Sequence, residues 1–135
     1  MSNMSDYLED ALTAWIAGTT FPAPPANWYV ALFVTATDDA TGGTEVTGGS
    51  YARKAVAASG AQWTRGTGGP GTVTNTNVIT FTTASADWGT VSHAAIYDAV
   101  SGGNRIMHGA LTTPKAVGNG VTFEIAATDM DLVFA

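Results

Sequence analysis

A chain of 135 residues suits one folding unit with a sizeable core, and 45% hydrophobic residues exclude a disordered polymer. Only 12% of the residues are charged and the net charge is −6, so the phosphate backbone of a nucleic acid is repelled. The five cations, Arg53, Lys54, Arg65, Arg105 and Lys115, are scattered but for one pair and make no basic stripe. The absence of cysteine excludes disulfides, thiolate nucleophiles and zinc–thiolate sites.

The opening MSNMSDYLED is acidic and polar, unlike a secretory signal, and no apolar run reaches the length of a membrane span. We therefore expect a chain made in the cytoplasm of its host, without a membrane partner. Ser5 is placed to cap a helix, with Asp6, Glu9 and Asp10 at the positive end of its dipole. Leu8, Leu12, Trp15 and Ile16 recur at helical spacing, and Gly18 stands where a C-terminal cap belongs. The pattern predicts one short amphipathic helix over about 6–17, with its stripe packed on a sheet. Pro22, Pro24 and Pro25 then hold the chain extended.

From about residue 28 to the end the pattern is β. WYVALFV reads as a strand buried on both faces, TDDATGGTEVTGGS as a loop, and YARKAVA as a strand. The Gly- and Pro-rich 58–77 segment predicts a surface excursion. VITFT (78–82), VSHAAIYD (91–98), RIMHGAL (105–111), VTFEIAA (121–127) and MDLVFA (130–135) follow as short strands. The fold class is mainly β: a single-domain antiparallel β-sandwich or barrel across 1–135 with one short N-terminal helix.

Chemistry is sparse. His93 and His108 flank one turn-rich stretch. A hairpin closing on Ser101–Gly102 sets Asp98 against Arg105, Tyr97 against Ile106, Ala95 against His108 and His93 against Ala110. Both histidines then share a face as diagonal neighbours, about 7–8 Å apart. Zinc wants three or four protein ligands, and Asp87 or Asp129 would have to come from distant loops. Ser92 adjoins His93 and so points to the other face. Both histidines read as structural.

Other constellations are as plain. GTGGPG (66–71) lacks the Lys-Ser/Thr of a phosphate loop. Asp38, Asp39 and Glu45 lack calcium-loop spacing and read as a solvated loop. Asp129 and Asp131 are two apart near the last strand, with no second element to form a substrate cleft. Trp15 and Trp28 fall in apolar patterns and read as core; Trp63 and Trp88, in turn-rich settings, are the contact candidates. No catalytic, cofactor-binding or metal residue emerges, and we expect no enzyme and no cofactor.

The order of YLEDALTAWI, WYVALF, GTEVTGGSYARKAV, ITFTTASADWGTVSHAAIYDAVSGGNRIMHGALTTPK and ATDMDLVFA resembles a family of small tailed-bacteriophage virion proteins. The motifs most characteristic of it are Trp88-Gly89-Thr90-Val91, Gly102-Gly103-Asn104 and His108-Gly109-Ala110-Leu111. The likeness spans nearly the whole chain, least in 58–77. Members are labelled unevenly, often as tail-fibre or minor structural proteins. The resemblance implies a non-enzymatic β-rich module present in many copies on a virion, with no catalytic or ligand residues to carry over. A fibre usually needs a repetitive shaft or a separate tip. The sequence therefore favours a capsid decoration or cement protein on the coat lattice, with a tail, fibre or baseplate component as the alternative. The low charge and the apolar MDLVFA favour a homo-oligomer, a trimer or another small cyclic assembly, contacting the major capsid protein or tail proteins.

Overall fold

The computed structural model describes residues 3–134. Strand β1 (Asn3–Met4) leads into helix α1 (Asp6–Ile16). Ser5 caps the helix through Oγ, which accepts from the Leu8 N–H at 3.2 Å. Its hydroxyl in turn donates to the Arg105 carbonyl, so one buried side chain joins the helix start to a strand a hundred residues away. The helix ends in a Schellman motif: the Thr19 N–H reaches the Ala14 carbonyl and the Gly18 N–H the Trp15 carbonyl. Gly18 stands at φ +93°, a conformation that favours glycine.

The chain then forms β2 (Asn27–Phe33), β3 (Lys54–Ala57), β4 (Trp63–Arg65), β5 (Thr72–Asn75), β6 (Ile79–Thr80), β7 (Gly89–Tyr97), β8 (Arg105–Val117), β9 (Glu124–Ile125) and β10 (Asp131–Val133). Three antiparallel sheets result, with orders β1-β8-β7-β2-β3, β10-β5-β4 and β6-β9. Among the described residues none of them closes into a barrel. The fold is mainly β and antiparallel with one short N-terminal helix.

The five-stranded sheet explains the continuous apolar run of β2. Val30 and Leu32 face the main core with Ala94, Ile96 and Met107, where side chains of the two smaller sheets meet them. Ala31 and Phe33 lie on the opposite face with Ala95 and Tyr97, under the 34–53 loop. Burial on both faces removes the polar alternation that a half-exposed strand would show.

Three expectations are corrected. The 58–77 segment is not a surface excursion, because β4 and β5 form a hairpin in register Trp63 with Asn75 and Arg65 with Val73. Its glycines make the turn, closed by the Gly66 N–H on the Thr72 carbonyl at 2.9 Å. The helix stripe is only half buried: Leu8 is core and Leu12 packs beside it, while Trp15 is 55% and Ile16 80% exposed. The 11-residue helix packs on the core through its first turns, and its last turn finds no partner there among the described residues. Strand β8 is much longer than RIMHGAL, continuing to Val117, where it pairs with Gly89.

Candidate functional site

Strands β7 and β8 pair with Ala95 opposite His108 and His93 opposite Ala110, the register read from the sequence. At the turn the expectation fails. Tyr97 pairs with Arg105, leaving Ile106 as an extra residue, so Asp98 does not face Arg105. Instead Asp98 closes the turn through the backbone and side-chain nitrogens of Asn104, at 2.7 and 2.8 Å. The bulge turns the Arg105 guanidinium onto the same face as Tyr97 and His108, beneath the 34–53 loop.

There Arg105 is buried and spends its donors on the loop. Nη1 donates to the Asp38 carbonyl at 2.7 Å, Nη2 to the Gly42 carbonyl at 2.9 Å, and Nε to the Tyr97 hydroxyl at 3.1 Å. His108, 2% exposed, has Nε2 2.8 Å from Asp39 Oδ1 and Nδ1 2.8 Å from Thr37 Oγ1. Asp38 accepts the backbone N–H groups of Gly42 and Ala40 on Oδ1. The Gly42 bond foremost holds its carboxyl below the usual range, outweighing the opposing desolvation, with Ala40 and Arg105 adding to the effect.

A second fastening lies farther along the loop. Glu45 takes Arg53 in a bidentate pair, Nε to Oε1 at 2.8 Å and Nη2 to Oε2 at 2.9 Å, and accepts the Tyr51 hydroxyl on Oε1. Nη1 of Arg53 donates to the carbonyls of Ala99 and Gly102, and its guanidinium sits 3.7 Å over the Tyr97 ring. Burial pushes the Tyr51 hydroxyl well above its ordinary pKa, and neighbouring Glu45 adds to that. Burial alone would lower the pKa of Arg53, but the bonds and charge of Glu45 raise it. Asp38 and Asp39 stay exposed, as a solvated loop would have them, yet Asp39 also meets the His108 ring and Glu45 pairs with Arg53.

Asp39, His108 and Thr37 reproduce the carboxylate–imidazole–hydroxyl connectivity of a nucleophilic triad. The imidazole is enclosed on the sheet, and its two nitrogens meet Thr37 and Asp39 of the same loop. His93 is not isolated from Ser92: Ser92 Oγ lies 2.9 Å from His93 Nδ1. This corrects the facing argument, since the pairing slips between Val91 and His93 and a short side chain can curl along the strand. Asp87 caps the Gly89 N–H, and Asp131 pairs on β10 with Thr74. Among the described residues no three His, Asp or Glu side chains cluster in metal-binding fashion.

The tryptophans exchange roles. Trp88, expected at the surface, is core: it donates to the Gly49 carbonyl at 2.9 Å and meets the Tyr51 ring edge-on at 5.4 Å. Gly49 stands at φ +56°, and a Cβ there would come within 2.8 Å of the Trp88 indole nitrogen. Trp15, expected in the core, is exposed, and Trp28 is half buried against the core. Trp63 lines an apolar cleft of about 530 Å³ between the inner face of the five-stranded sheet and the β10-β5-β4 sheet. Trp28, Ile96, Met107 and Leu132 also line it, and Arg65 is its one charged lining residue. The Trp63 indole N–H is buried without an acceptor. The cleft was not legible in sequence, because its walls come from segments far apart in the chain.

Two layers of antiparallel sheet, with the guanidiniums of Arg53 and Arg105 turned inward to fasten loops, define a β-rich protein. The model of the family described as "Podophage GP4 fiber I protein gp80" matches residues 3–133, and the chain belongs to that family of phage virion structural proteins. No curated protein matches the chain at a significant level.

Proposed function

We propose that the chain is a non-enzymatic component of the phage tail or fibre, a single module that joins other virion proteins and assembles in several copies. The observation that carries this reading is the match to a fibre-protein family over 3–133. The same match favours the tail or fibre over the coat decoration preferred on sequence grounds. That preference rested on the lack of a repetitive shaft, and a short module at the base or tip of a fibre needs no shaft of its own.

The geometry supports the non-enzymatic part. His108, Arg105, Glu45 and Arg53 are committed to internal bonds, which stiffen the loop face. Several large apolar side chains are turned outward: Trp15, Ile16, Phe21, Val78, Val100 and Phe134 are exposed, a surface suited to protein contacts. Contacts of modest area become firm when repeated around an assembly.

Gold-labelled antibody against the chain, applied to intact virions and viewed by electron microscopy, tests the placement. Label on the tail or its fibres is the expected result; label spread over the capsid shell would overturn it in favour of decoration.

A further inference from the structure

We propose that the C-terminal end of α1, carrying Trp15 and Ile16, seats in the apolar cleft of a second copy of this chain. The inference rests on the self-association put forward above and names the two surfaces that make it.

The two halves of the contact are each incomplete alone. Trp15 and Ile16 are apolar yet exposed, at 55% and 80%, while Leu8 and Leu12 of the same stripe pack on the core, and they line neither the cleft nor the groove beside it in their own chain. The cleft, at about 530 Å³, is of the size that accepts a large apolar group, since ligand sites run roughly 300–1,000 Å³. An indole with a neighbouring aliphatic side chain is such a group, and buried aromatic anchors dominate protein interfaces.

The polar groups match as well. The last turn of α1 carries no basic residue, so its negative dipole end is unneutralised. The carbonyls of Ile16 and Ala17 accept no hydrogen bond among the described residues. The cleft offers the complement: Arg65, whose guanidinium makes no ion pair or hydrogen bond among the described residues, and the acceptor-less indole N–H of Trp63. A helix end entering the cleft brings carbonyls to a guanidinium, and a small turn of the Trp63 ring presents its N–H to the same acceptors.

Trp28 and Ile106 line both the cleft and the groove under the first turns of α1, so the helix that carries the donor residues starts beside the cleft. That adjacency lets two copies exchange helix ends reciprocally, or several close a ring.

Sedimentation analysis of the full chain tests the proposal with two variants. Trp15→Ser combined with Ile16→Ser removes the exposed donor without touching the core. Gly60→Trp narrows the cleft, at a glycine of the lining whose added Cβ meets nothing within 4 Å. The wild type is expected to associate, and each variant alone to dissociate about 30-fold more readily or worse, the scale of losing an interface hot spot. Mixed together the two variants should recover pairs, because one retains the cleft and the other the helix end. A monomeric wild type at micromolar concentration would overturn both the self-association and this contact. A wild type that associates while the helix variant associates equally well overturns this contact alone. Loss of assembly in Gly60→Trp with no effect of the helix variant assigns the cleft to a different occupant and also overturns it.

Discussion

Asp39 and His108 are 69 residues apart, and the 2.8 Å contact of Oδ1 with Nε2 joins the 34–53 loop to the middle of β8. The Asp39 carbonyl also accepts the Asp6 N–H at 2.9 Å, so the same residue meets the first turn of α1. Helix, loop and sheet are therefore coupled at one point, and loosening it should be felt by all three.

His108→Ala removes both ring contacts at once and leaves Thr37 and Asp39 without partners on the sheet. A loss of about 1–3 kcal/mol is expected, two hydrogen bonds at their usual net worth. Urea denaturation followed by circular dichroism measures it; an unchanged midpoint would mean that the loop does not depend on the imidazole.

Arg105→Lys keeps the charge but replaces three directed donors by one ammonium. Asp38 O, Gly42 O and the Tyr97 hydroxyl cannot all be served from that single point. The expected loss is about 1.5–3 kcal/mol, the range for hydrogen bonds to charged groups. Thermal unfolding of the variant beside the wild type checks it, and a Tm within a degree of the parent would refute the account of the bulge.

What the sequence made legible was local or periodic. Ser5 and Gly18 bracket the helix because caps act within a few residues, and Ala95 meets His108 because hairpin pairing follows chain order. The bulge at Ile106 was not legible, since one extra residue in a strand leaves no mark on alternation, and it moved Arg105 from Asp98 to Tyr97. Trp15 and Trp88 were interchanged for a related reason. An apolar stripe says which way a helix face points, but not how far the sheet beneath it extends. A tryptophan amid turn residues reads as exposed until Gly49 and Tyr51 are known to close over it. The bonds that fasten the loop to Arg105 and His108 join residues 63–71 apart and have no linear signature at all.

Asp38 gives the fold a pH dependence of known sign. Its folded carboxyl is held low, first by the Gly42 N–H, so the stabilisation is present above the unfolded value of about 3.9 and is lost as pH falls through the lower folded value. Thermal unfolding should be flat from neutral pH to about pH 5 and then decline below about pH 4. Asp38→Ala should start lower and decline less over that acid range. A parallel decline in both proteins would remove Asp38 from the explanation.

The two ends of α1 should respond differently to truncation. Leu8 is buried in the core, and Leu8→Ala is expected to cost about 2–5 kcal/mol. Trp15→Ala, at an exposed position, should stay within about 0.5 kcal/mol of the parent under conditions where the protein is monomeric. Guanidinium unfolding of both variants at low protein concentration makes the comparison. Equal losses would place Trp15 in the core after all.

Tyr51→Phe isolates one atom. The hydroxyl accepts the Leu32 N–H at 3.0 Å and donates to Glu45 Oε1 at 2.9 Å, linking the buried central strand β2 to the Glu45–Arg53 pair. The ring stacks on Phe81 and meets Trp88, contacts that phenylalanine retains. The change therefore leaves packing alone and strands an amide N–H of β2 inside the protein, a penalty of about 1–3 kcal/mol. Arg53→Met removes the ion pair but leaves Tyr51 bonded to both its partners. If the hydroxyl is the link, the loss in the double variant should differ from the sum of the single losses by at least about 0.5 kcal/mol, the lower bound for coupled neighbours. Chemical denaturation of the four proteins completes that cycle, and strict additivity would show that the strand and the loop are fastened independently.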